Sequence, residues 1–158
     1  MRVAPVVWLM ALAPLITAHL TWGISTLQGH IEPCLPYAFH CHSISATGRE
    51  GAAYFVFKGG MLPAAMALIV AFRLSAHWLR CVGVPPGKGE RALPWMGLVA
   101  GLALLLYTLV LGHQGDTYHI LRRIGVVLYF SLTWMGLVLI STRLRLSTRL
   151  AAAGWRQQ

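Results

Sequence analysis

Four long apolar blocks limit what this chain can become. They cover about 20 residues or more each, near positions 3–26, 53–77, 93–112 and 119–142. Inside them hydrophobic residues follow neither the period of two that marks a half-buried strand nor the period of 3.6 that marks a surface helix. A helix needs about 20 apolar residues to cross a hydrocarbon core of roughly 30 Å. Strands of a membrane barrel would be about 10 residues long and would alternate. The expected fold is therefore all-α: a polytopic membrane protein, a four-transmembrane-helix bundle. It forms a single integral membrane domain over 1–158, with a basic tail at 143–158. Composition agrees, with 57% hydrophobic and 11% charged residues against about 25% charged in soluble domains.

The net charge of +9 has a topological explanation that needs no nucleic acid. Of the thirteen basic residues, nine fall on one side once the spans are placed: Arg2, Arg73, Arg80, Lys88, Arg91, Arg143, Arg145, Arg149 and Arg156. Such an excess marks the cytoplasmic face. Both termini and the loop at 73–91 are then expected in the cytoplasm, in a bacterial inner membrane or a plasma membrane. The basic tail would be drawn to anionic headgroups. The first block resembles a signal peptide in carrying Arg2, but it is long and no small-x-small cleavage site follows, so an uncleaved helix is expected. Trp8 and Trp22 fit interfacial positions near its ends. Gly59 and Gly60, and Gly97 and Gly101 at i, i+4, suggest faces for close helix packing. Gly87-Lys88 lacks the remaining parts of a phosphate-binding loop and reads as a connector.

Arg122 and Arg123 break the charge pattern. They stand at the start of the fourth block, on the outer side, where cations oppose the helix dipole by about 0.3–1 kcal/mol each and are costly in the membrane. Three of the four acidic residues, Glu32, Glu50 and Asp116, share this side. So do His30, His40, His42, His113 and His119, five of the seven histidines. Asp116 fits a helix cap. It also fits a polar face with His119 and either arginine, at i, i+3 and i+6 or i+7. Lys58, one turn inside the second block, fits a snorkelling lysine or a partner for Glu50 or Asp116.

Several chemistries suit this concentration. Arg49, Glu50, Lys58, Asp116, His119, Arg122 and Arg123 form a candidate site for an anionic lipid headgroup, with forked hydrogen bonds from the arginines to phosphate. Ser43 or Ser45 with His119 or His42 as base and Asp116 as orienter has the residue types of a hydrolytic or acyl-transfer triad. His40 and His42 with His113 or His119 are weak metal candidates, since a two-residue loop spacing is not distinctive. A b-type haem would need His19 and His113 at matched depth, and His113 stands at or beyond a helix end, so no cofactor is expected. An accessory subunit whose arginines meet a carboxylate of a membrane-protein partner is a further alternative. Cys34 and Cys41 share the outer loop and are candidates for a disulfide if that side is oxidising.

Ser43-Ile-Ser-Ala-Thr-Gly48, followed by Phe55 and Phe57 at the start of the second block, resembles the membrane family of the fibroblast-growth-factor-receptor-activating protein, the damage-regulated autophagy modulators and yeast plasma-membrane relatives. The likeness covers roughly positions 37–72. The chain departs from the family in having four spans where five or six are usual, and in placing His42 and Ala46 where proline and acidic residues often stand. The resemblance implies a polytopic protein linked to lipid remodelling or distribution, with membrane lipids as partners. It carries no catalytic residue onto this sequence.

Overall fold

The computed structural model describes residues 4–34, 43–84 and 87–152, and the side chains of 147–152 are outside that description. Five helices run in the order α1 (Ala4–Leu27), α2 (Ile44–Thr47), α3 (Gly51–Cys81), α4 (Lys88–Val110) and α5 (Asp116–Ala152), with no strand among the described residues. The four long helices are each long and apolar enough to cross a membrane. The chain is thus all-α with four candidate spans.

The helices overrun the apolar blocks because backbone hydrogen bonding does not stop where hydrocarbon does. At 1.5 Å per residue, α5 with its 37 residues is about 55 Å long, well beyond a hydrocarbon core of roughly 30 Å. The segment expected as a tail from 143 continues this helix to Ala152, since no proline or glycine interrupts it before Gly154. Likewise α4 begins at Lys88, ahead of its apolar block. Gly83 and Gly112, at φ of 79° and 91°, make the turns after α3 and α4 in a backbone region that glycine enters freely.

The long helices pack in chain order as a row: α1 on α3, α3 on α4, and α4 on α5, with a lighter contact between α3 and α5. The ends of the row, α1 and α5, are not packed substantially against each other. Small residues make the close contacts. A Cβ at Gly60 would run into Thr17 of α1. One at Gly97 would run into Phe72, and one at Gly101 into Ile69 and toward the Ala65 carbonyl. Gly136 of α5 leaves the room that the Phe72 ring fills from the other side.

Helix α1 is turned inside out relative to a soluble helix. Its buried residues are Thr17, Thr21 and Ser25, one per turn, while Leu9, Leu15, Ile16 and Leu20 are exposed. In lipid there is no hydrophobic gain in burying leucine, so small and hydroxyl-bearing residues take the interface. At the end where α3 meets α4, the Glu90 carboxylate is 2% exposed and is ion-paired with Arg80.

Candidate functional site

The opposite end of the row carries α2 and the α4–α5 turn. The Ser43–Arg49 segment ties this end together. The Thr47 hydroxyl lies 3.2 Å from that of Thr21 on α1. Gly48 lies so close to the Phe57 ring of α3 that a Cβ would stand 2.6 Å from it. Turn formers therefore do more than close a loop here: Thr47 and Gly48 tie the segment to two spans, α1 and α3.

Arg49 is exposed, and its Nε donates to its own segment's Ser45 carbonyl at 3.2 Å. Arg122 is 7% exposed and donates to the His113 carbonyl at 3.0 Å. Gly112 and His113 of the adjoining turn, with Arg49, Gly51, Tyr54 and Phe55, line an open cleft of about 430 Å³. Tyr54 forms one wall, and Lys58 braces it by donating to the Tyr54 hydroxyl and to the Leu109 carbonyl at 3.4 Å. The His113 ring leans on Tyr118, with centroids 5.1 Å apart.

The double arginine divides between two environments. At about 100° per residue, Arg123 comes within about 20° of Asp116 around α5, and Arg122 lies about 100° away from Arg123. Asp116, His119 and Arg123 are all exposed, and Arg122 alone turns into the protein. Glu50 does not join the arginines either: its carboxylate lies 3.4 Å from Nδ1 of His30. Among the described residues the ion pairs are His30–Glu50 and Arg80–Glu90. Among the described residues no carboxylate pairs with Arg49, Lys58, Arg122 or Arg123. Lys58, expected to snorkel or to meet an acid, is held by neutral oxygens.

The remaining candidates are arranged differently. Ser43 and Ser45 bond to each other at 3.0 Å, and among the described residues no hydrogen bond joins either serine to His119 or Asp116. His40, His42 and Cys41 lie outside the described residues. No group of three or more histidine, cysteine or acidic residues with the geometry of a metal site occurs among the described ones. His19 turns its Nδ1 to the Leu15 carbonyl, 2.7 Å away in its own helix. Cys34 is disulfide-bonded, whereas Cys81 is a free, exposed thiol.

Tyr54, which lines the cleft, is the member of the site that sequence reasoning missed. No family model, curated protein or solved structure matches the chain.

Proposed function

We propose that this is a multi-pass protein of a plasma or bacterial inner membrane, with cytoplasmic termini, whose α2 end faces outward and binds an anionic group. The favoured ligand is the phosphate of a lipid headgroup, held between Arg49 and Arg122. The observation that carries the reading is Arg122: an arginine 7% exposed, with no carboxylate partner among the described residues. Burying a charge without a counter-charge costs several kcal/mol. A ligand anion would offset that cost, and guanidinium forks match phosphate oxygens.

Three features support a lipid as its source. The cleft beside Arg49 has room for a headgroup, and it opens next to Phe55, which is 74% exposed. Its walls come from the membrane-facing start of α3 and from the α4–α5 turn. The excess of basic residues at the other end supports a cytoplasmic position for it, which leaves the α2 end outward. The family resemblance would place such binding in lipid remodelling or distribution.

Native mass spectrometry of the protein from a mild detergent tests this directly. The wild type should carry an anionic lipid. Arg49→Ala and Arg122→Ala should each deplete it, while Arg123→Ala should retain it. A folded, monodisperse double variant at 49 and 122 that keeps its full lipid complement would overturn the proposal.

A further inference from the structure

We infer that His77 and Cys81 form a second site, at the end of the row opposite α2, and that it takes a zinc ion or a like divalent cation. Both belong to the last turns of α3 and stand four residues apart, which puts them on one face of the helix. Sγ of Cys81 lies 3.6 Å from Nε2 of His77, and both residues are exposed. Cys81 is a free thiol. Thiolate and imidazole are the donors that zinc prefers.

The spacing selects the coordination. Zinc stands about 2.3 Å from sulfur and about 2.0–2.1 Å from nitrogen. At a tetrahedral angle those bonds hold their donors about 3.5 Å apart, whereas a linear arrangement would need about 4.3 Å. The observed contact fits two corners of a tetrahedron. The pair is already in hydrogen-bond contact, so the donors are together before an ion arrives, and binding releases the thiol proton.

The position favours a cation over the other use of such a pair, an activated nucleophile. Cys81 is the final residue of α3, and the helix dipole is negative there. That end stabilises a bound cation and opposes a bare thiolate, whereas reactive thiolates sit at helix N-termini or beside fixed cations. Arg80, the neighbouring cation, is engaged with the Glu90 carboxylate. Arg73, one turn before His77 on the same exposed face, opposes the ion and keeps the site weak. Among the described residues no third histidine, cysteine or acid completes the group, so water fills the other corners. Half the ligands of a structural zinc site place the dissociation constant on the order of 1–100 µM.

The test titrates cobalt(II), a spectroscopic stand-in for zinc, into the full chain in metal-free phosphatidylcholine nanodiscs. A thiolate-to-cobalt charge-transfer band should grow and saturate at one ion per chain, with a dissociation constant in that range. Zinc should displace the cobalt and abolish the band, as its greater affinity for such donors predicts. Histidines at the α2 end cannot give a sulfur band, and Cys34 is disulfide-bonded. Cys81→Ser should erase the band. His77→Gln should weaken binding at least about tenfold, the lower end of what even an outer-shell change costs. Both side chains are exposed, so neither change touches the core. Absence of the band at about 1 mM cobalt, tenfold above the weak limit, would overturn the site. So would equal affinity in His77→Gln, which would mark a thiol acting alone.

Discussion

Adjacent glycines on α3 offer an internal control for how the helices meet. A Cβ at Gly59 would touch nothing within 4 Å, whereas one at Gly60 would lie 2.8 Å from Cγ2 and 2.9 Å from Cβ of Thr17, and closer still to its hydroxyl oxygen. Thr17 is 5% exposed, and a β-branched side chain has few rotamers in a helix, so it cannot swing clear. The helices must part instead. Gly→Ala in a helix interior brings a propensity gain of about 1 kcal/mol, which is common to both positions and cancels between them. The difference left is the overpacking cost, about 1–3 kcal/mol. Reversible unfolding in mixed micelles should therefore rank Gly60→Ala below Gly59→Ala by that amount. Thr17→Ala should recover part of the loss in the Gly60→Ala background, since it removes both atoms beyond Cβ. Equal stability of the two glycine variants within about 0.5 kcal/mol, the scatter expected between independent sites, would refute this register of α1 on α3.

Two further outcomes are expected. A double-mutant cycle on Thr21→Val and Thr47→Val should give a coupling of about 0.6 kcal/mol or less, because each hydroxyl also reaches a carbonyl in its own helix, at 3.0 and 2.8 Å, and two protons cannot serve three bonds. A coupling near 2 kcal/mol would contradict that competition. At the other end, Arg80→Met should destabilise by on the order of 2 kcal/mol, less than a fully buried pair because Arg80 is largely exposed. Adding Glu90→Leu should restore most of the loss in the same unfolding assay, and no recovery would mean that the carboxylate is held by something else.

The spans, the glycine packing faces and the polar end were legible in the sequence because they depend on composition and spacing along the chain. The facing of individual residues was not. In water, an apolar stripe tells inside from outside. In lipid both surroundings are apolar, so nothing in the fourth block says that Arg122 turns in and Arg123 out. The same loss of contrast hid α1, whose hydroxyls at Thr17, Thr21 and Ser25 form its buried stripe. The role of the Ser43–Arg49 segment was invisible for another reason: its contacts reach helices far away in sequence.

Among the described residues each end of the row buries one charge, and the two are treated differently. Glu90, 2% exposed, sits in the first turn of α4, where the helix dipole favours an anion, and has Arg80 as its counter-charge. It is compensated by the protein itself. Arg122, 7% exposed, stands near the start of α5, where the dipole opposes a cation, and donates to a neutral carbonyl, that of His113. Scarcity of acids does not explain this. Glu50 and Asp116 belong to the same end, yet one is drawn to His30 and the other is exposed on a different face of α5. A role confined to bonding the His113 carbonyl would need only one N–H donor, which a neutral glutamine supplies at far lower desolvation cost. A permanent positive charge, kept where local acids are turned away, is the feature on which the proposed anion site rests.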